Sequence, residues 1–295
     1  MNLNPQLVAL SPQVLPLAFD LAVNEWMQER GIQIKPLKQA NSATLTVQSW
    51  HLDQVLSAEQ RPLLRALLND FQADMALFPA HFDPAQLRVL AIDMDSTLIN
   101  IECIDEIADF AGQKAAVAKI TEATMRGEIR NFSESLQQRV ALLAGVSEAV
   151  LEAVYRERLR PNPGAAELIA QAKLLGLHTL LVSGGFTFFT NKLQHALGFH
   201  QAHANSLEIQ AGFLTGKVLG NIIDGAGKAH CLEQVCQTLG CNKTQAMVIG
   251  DGANDLLMMA GAGLSIAYRA KPLVKEKADA AFDRVGLDAA LALLR

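Results

Sequence analysis

The stretch Arg88-Val-Leu-Ala-Ile-Asp93-Met-Asp95-Ser-Thr-Leu-Ile-Asn-Ile101 decides how the chain is read. Val89 to Ile92 form a short apolar run with β-branched residues at both ends. Such a run suits a strand buried on both faces of a parallel sheet. It stops at Asp93, and a second carboxylate, Asp95, follows two residues later. Ligands of open α/β sheets sit beyond the carboxyl ends of the strands, so both acids stand where chemistry is expected.

Downstream the same grammar repeats. Thr179 to Val182 predicts a strand that runs into Ser183-Gly184-Gly185, and Met247 to Ile249 a strand that ends in Gly250-Asp251-Gly252-Ala253-Asn254-Asp255. Helical periodicity separates them over Leu168–Leu175, Phe186–Leu197 and Lys228–Leu239, and Leu264 to Ala267 predicts a further strand. Leu207 to Leu214, with Ala211-Gly212 at its middle, predicts a hairpin. Alternating strands and helices make the fold class α/β, with a doubly wound parallel sheet. Residues 100 to about 163 interrupt the alternation with helical spacing only, until Pro161-Asn-Pro-Gly164 ends it. A helical insert placed after the first strand's loop can fold over the carboxyl edge of the sheet as a cap.

Upstream, residues 1–85 read as a separate α+β unit, and 86–295 as the main domain. Leu7–Leu10 predicts a strand, Val14–Arg30 a helix stopped by Gly31, and residues 32–37 and 45–47 two short strands. Ser57-Ala-Glu-Gln60 has the form of a capping box ahead of a helix through Phe71, and Met75–Phe78 predicts a last strand. The order β-α-β-β-α-β is the split pattern of ferredoxin-like folds, and it resembles an ACT-type regulatory domain. A docking or homodimerisation module fits the same pattern. Pro79 to Pro84 reads as the linker.

Composition bounds the function classes. The chain has 295 residues, 50% of them hydrophobic and 19% charged, which is globular rather than disordered. A net charge of −5 gives no support for broad binding to nucleic acid or to anionic membranes. Cys103, Cys231, Cys236 and Cys241 form no CxxC pair and no zinc pattern, so they read as reduced, mostly buried thiols. The N-terminus lacks a basic region followed by an apolar one, and no uncharged apolar stretch reaches the roughly 20 residues that span a bilayer. The expectation is a cytoplasmic protein.

If the sheet is parallel, Asp93/Asp95, Ser183 and Asp251/Asn254/Asp255 converge on one edge, with Lys228 at a helix start nearby. Like charges gathered so closely repel unless a cation sits between them. Mg²⁺ fits, because it prefers oxygen ligands and keeps waters and phosphate oxygens in its shell. A carboxylate nucleophile, a second carboxyl as acid and base, and positive charge around the oxygens are what phosphoryl transfer needs. Asp93, at the strand tip, is the better nucleophile, and Asp95 the acid/base.

Asp93-Met-Asp-Ser-Thr97, Ser183-Gly-Gly-Phe186, Lys228 and Gly250-Asp-Gly-Ala-Asn-Asp255 together resemble the haloacid dehalogenase superfamily, and within it the phosphoserine phosphatases. The resemblance covers about Arg88 to the C-terminus. It implies Asp93 as nucleophile, Asp95 as acid/base, and Mg²⁺ held by the Asp93 side chain, the Asp95 carbonyl and the Asp251 side chain. It implies further that Ser183, the Gly184 amide and Lys228 bind phosphate, that Asn254 contacts the substrate's phosphate end, and that Asp255 orients Lys228. Glu102, nine residues after Asp93, and Arg139, seven after Phe132, match the same pattern. Glu102 would pair with a substrate ammonium and Arg139 would grip a carboxylate in a bidentate fork. Phe132, with Met125, would help to exclude water. Taken alone, Glu102 and Arg139 read as the solvated face of amphipathic helices, and their functional reading leans on the resemblance.

The implied reaction is Mg²⁺-dependent hydrolysis of phosphoserine, the last step of serine synthesis. Two alternatives stand beside it. One is the same core acting on another small phosphate monoester, or passing the phosphoryl group to an alcohol. The other is an amino-acid-sensing regulatory protein.

Overall fold

The computed structural model describes residues 5–42, 44–126, 128–129 and 131–294. The chain opens with β1 (Gln6–Ser11), α1 (Leu17–Gln28), β2 (Ile34–Asn41), β3 (Thr46–Leu52), α2 (Gln60–Asp70) and β4 (Asp74–Phe78). The strands pair antiparallel in the order β2-β3-β1-β4. One face carries α1 and α2, whose Phe19, Val23, Met27, Leu64 and Leu68 pack on Leu7, Ala9 and Trp50. The capping pair at Ser57 forms: its N–H donates to Gln60 Oε1 at 2.8 Å, and Gln60 N–H to Ser57 Oγ at 3.2 Å.

The remaining elements are β5 (Val89–Ile92), α3 (Cys103–Phe110), α4 (Lys114–Met125), α5 (Phe132–Ala141), α6 (Ala149–Ala153), α7 (Ala165–Leu174), β6 (His178–Phe186) and α8 (Thr187–Leu197). They continue with β7 (Gln201–Gln210), β8 (Phe213–Leu219), α9 (Gly225–Thr238), β9 (Ala246–Gly250), α10 (Leu256–Met259), β10 (Leu264–Tyr268), α11 (Pro272–Lys277) and β11 (Ala280–Phe282). Strands β11-β10-β9-β5-β6-β7 are parallel neighbours, and β8 returns antiparallel on β7. Successive residues of β5 alternate between two cores. Leu90 and Ile92 face the helices of residues 103–174, while Val89 and Ala91 face α9. Burial on both faces is why this strand reads as an unbroken apolar run.

The two halves share one sheet. β4 pairs antiparallel with β11 through Ala76–Ala280 and Met75–Ala281, giving eleven strands in one row. Residues 79–84 are packed rather than extended: Phe82 is buried, edge-on to Phe78 at 5.1 Å. Asp74 closes the join. Its Oδ2 accepts the backbone N–H groups of Asp283, Arg284 and Val285 at 2.9–3.0 Å. The hairpin turn at Ala211-Gly212 has positive φ at both residues, 49° and 80°, which suits the right-handed twist of its strands. Cys103, Cys231 and Cys236 are buried, and all four thiols are free. Among the described residues no helix is long and apolar enough to cross a membrane.

Candidate active site

Strand register builds the site. Ile92 pairs with Ile249 on one side and Leu181 on the other, so the residues that follow them in β5, β6 and β9 lie side by side. Asp93, Ser183 and Asp251 therefore emerge at one edge of the sheet. The backbone then turns sharply: Ser96 adopts φ 57°, a left-handed conformation. Leu98 N–H reaches back to the Asp93 carbonyl at 3.2 Å. This tight loop keeps Asp93 and Asp95 against the strand tips.

Lys228 is the buried cation of the cluster. Its ammonium donates to Asp93 Oδ1 at 2.5 Å and to Asp255 Oδ1 at 2.8 Å. Asp224 caps α9 by accepting Gly227 N–H at 2.9 Å, which fixes the first turn that carries Lys228. Burial alone would lower the Lys228 pKa, but Asp255 and Asp93 reverse that and hold it above its ordinary value. Asp255 Oδ2 accepts the amides of Asp251 and Gly252 at 3.2 and 3.1 Å, so both of its oxygens are engaged.

Carboxylate oxygens of Asp93, Asp251 and Asp255 lie within 4.8 Å of one another. Burial, then the neighbouring Asp255, pushes Asp93 well above the usual carboxylate range. The same two causes push Asp251 up to about 6. Crowded hard oxygen donors of this kind fit a divalent cation such as Mg²⁺. Asp255 is already spent on Lys228 and two amides, which leaves Asp93 and Asp251 as the side chains with oxygens to offer. Asp251 Oδ1 accepts from the buried Thr97 hydroxyl at 3.2 Å, leaving its other oxygen open.

Asp95 is held by other partners. Its Oδ1 accepts Cys103 N–H at 3.0 Å, and its Oδ2 lies 3.4 Å from Ser183 Oγ. Burial, then the charge of Glu102, pushes Asp95 up to about 7. Such a carboxyl can give or take a proton near neutrality. Ser183 is buried and its Oγ accepts Gly185 N–H at 2.8 Å. A Cβ on Gly185 would stand 2.5 Å from Asp95 Oδ2, so only glycine lets the two loops close up.

Glu102 and Arg139, the pair expected to read the substrate, are placed more loosely. Glu102 is exposed and accepts from Ser96 Oγ at 2.7 Å. Arg139 is half-buried on α5, and its Nε donates to the Ser135 carbonyl at 3.3 Å. Among the described residues it has no carboxylate within ion-pair distance. Burial lowers its pKa, while Asp105, Glu102 and Asp95 raise it from across the cleft. Phe132, at the start of α5, covers Gly184: a Cβ there would meet its ring at 2.9 Å. Asn254 Oδ1 lies against Gly252. The Met125 side chain lies outside the described residues.

Three supporting residues carry no signal in the sequence. Thr97 holds Asp251. Asn205, buried, donates to the Gly184 carbonyl at 2.8 Å and accepts Ile223 N–H at 2.7 Å. Asn162 donates to the carbonyls of Thr97 and Ile99 at 2.8 and 3.0 Å, pinning the loop after Asp93.

The sequence pattern of the haloacid dehalogenase-like hydrolases matches residues 87–263. The chain is 55% identical over 215 residues to a phosphoserine phosphatase from Polaromonas sp. strain JS666, covering 72% of this chain and 91% of that protein. Its fold matches a probable phosphoserine phosphatase from Vibrio cholerae with a TM-score of 0.80 and 35% identity, over 98% of this chain and 86% of the other. A haloacid dehalogenase family hydrolase from Salmonella enterica serovar Typhi matches with a TM-score of 0.85 and 28% identity, over 99% of both chains.

Proposed function

The chain belongs to the haloacid dehalogenase-like hydrolases, and from that premise we propose how its own residues hydrolyse phosphoserine to serine and phosphate. The observation that carries the reading is the meeting of Asp93, Asp251 and Asp255 within 4.8 Å, with Lys228 seated between two of them. Asp93 attacks phosphorus in line with the serine oxygen. The bond from phosphorus to that oxygen breaks, and Asp95 delivers its proton to the leaving alkoxide. Water then attacks the phosphorus of phospho-Asp93 as Asp95 takes a proton from it, and the bond from phosphorus to the Asp93 oxygen breaks, releasing phosphate and the free carboxylate. Lys228, the Ser183 hydroxyl and the Gly184 amide hold the phosphoryl oxygens throughout.

Asp93 and Asp251, with the Asp95 carbonyl, would hold Mg²⁺. When bound, that ion offsets the repulsion between Asp93 and the phosphate and polarises the phosphoryl oxygens. We assign the helices of residues 103–158 as a cap over the site, with Glu102 facing the substrate ammonium and Arg139 its carboxylate. Phe132 screens the phosphate loop from water. Asn254 contacts the phosphate end. We read residues 1–85 as an ACT-like regulatory or homodimerising unit, and assign the chain to the cytoplasm, where its thiols stay reduced.

The test is phosphate release from a panel of phosphorylated metabolites, with and without Mg²⁺. Phosphoserine should be the best substrate, and chelation should remove turnover until Mg²⁺ is returned. Undiminished turnover after chelation, or a preference for monoesters without a carboxylate, would overturn the reading.

A further inference from the structure

The β7–β8 hairpin joins the two ends of the cleft. Its root is Asn205 on β7, which ties the Gly184 carbonyl to Ile223 N–H. Its far end docks on the segment after α5. Gly145 N–H donates to the Leu214 carbonyl and Leu214 N–H to the Val146 carbonyl, both at 2.8 Å, while Glu148 N–H donates to the Gly212 carbonyl at 2.9 Å. One element thus touches both the phosphate loop and the support of the helix that carries Phe132 and Arg139.

The hairpin is also irregular where it meets α5. Leu207 pairs with Val218 and Ile209 with Leu214, so Thr215, Gly216 and Lys217 stand opposite Glu208 alone. Thr215 Oγ1 donates to Glu208 Oε2 at 2.6 Å and holds the bulge shut. The bulge presents Gly216, at φ 82°, to α5. A Cβ there would stand 3.0 Å from Ala144 Cβ, 3.2 Å from the Ala141 carbonyl oxygen and 3.3 Å from Ala141 Cα. Two of those neighbours are backbone, which cannot swing aside. An edge strand serving only to end the sheet needs neither a left-handed glycine nor a bulge directed at a helix backbone.

We propose that the hairpin is a spacer that sets the distance between the phosphate loop and α5, with Gly216 as its positioning residue for substrate choice. The inference rests on the reading of Arg139 given above. Pushing the C-terminal end of α5 outward at Ala141 would move Arg139 from a bound carboxylate, while Phe132, at the opposite end of the helix, and the phosphate end, held by β5, β6 and β9, stay in place.

The test compares phosphoserine with phosphoethanolamine, which lacks only the carboxylate, in the full chain. Gly216→Val should raise KM for phosphoserine about tenfold or more, with kcat changed by less than about threefold, since small misplacement of a gripping group is costly. For phosphoethanolamine, kcat/KM should stay within about twofold of the parent. Thr215→Val, which opens the bulge without crowding α5, should shift the ratio the same way by a smaller factor, and it decides the matter where Gly216→Val does not fold. Parallel losses on both substrates, or parental discrimination in the folded variants, would overturn the spacer alone. A parent chain that does not prefer phosphoserine would overturn the reading of Arg139 and take the spacer with it.

Discussion

Asp74 and Asp93 are equally buried, each 3% exposed, and each sits at the end of a strand in the same sheet. Their surroundings differ in kind. Asp74 receives three backbone N–H groups on one oxygen, and the Arg284 guanidinium lies 3.6 Å from the other. Asp93 receives one ammonium, shared with Asp255, and faces Asp251 as well. The first carboxylate is satisfied by the protein around it, and the second is left with more negative charge than its donors can balance. Burial of an acid therefore does not mark a functional site; a surplus of acids over donors does.

The largest effect should come from removing that surplus. Asp93→Asn keeps the shape and deletes the proposed nucleophile, so turnover should fall by about 10⁴-fold or more. The metal-free protein should melt no lower than the parent, because one of three crowded carboxylates has gone. A clear fall in melting temperature would mean that Asp93, like Asp74, serves the fold. Next in size, Arg139→Ala should cost phosphoserine about 10- to 100-fold in kcat/KM, the worth of one or two charge-assisted hydrogen bonds. Phosphoethanolamine should lose less than about threefold. Equal losses on the two esters would show that Arg139 supports α5 rather than reading the substrate.

The catalytic edge was legible because each of its parts is local. Val89–Ile92, Thr179–Val182 and Met247–Ile249 are apolar runs that end in reactive residues, and parallel pairing in register does the rest. The supports were not legible, because they act across long separations. Thr97 reaches Asp251 and Asn205 reaches Gly184 through single hydrogen bonds that leave no periodicity in the chain. The join at β4 was hidden for another reason. β11 spans only Ala280–Phe282, too short for any pattern, and its partner strand reads as the last element of a separate unit. Pro79–Pro84 looks like a linker in sequence, yet Phe82 anchors it in the core.

The smallest expected effect on catalysis belongs to Asp74, and it sharpens the comparison most. Asp74→Ala leaves the amides of residues 283–285 without their acceptor in a buried turn. The loss should be about 2–4 kcal/mol, less than three full desolvation penalties because water can enter beside Arg284. The melting temperature should fall by several degrees while kcat/KM of the folded protein stays within about twofold of the parent. Asp74→Asn, which keeps one accepting oxygen, should fall between the two in stability. A folded Asp74→Ala variant with impaired turnover would change the picture. The join would then reach the site along a continuous route, from β4 to β11, across to β10, and on to Lys271, whose N–H donates to the Asp251 carbonyl at 3.1 Å. In that case the N-terminal unit would bear on catalysis through the sheet itself, and the two aspartates would be ends of one device rather than opposites.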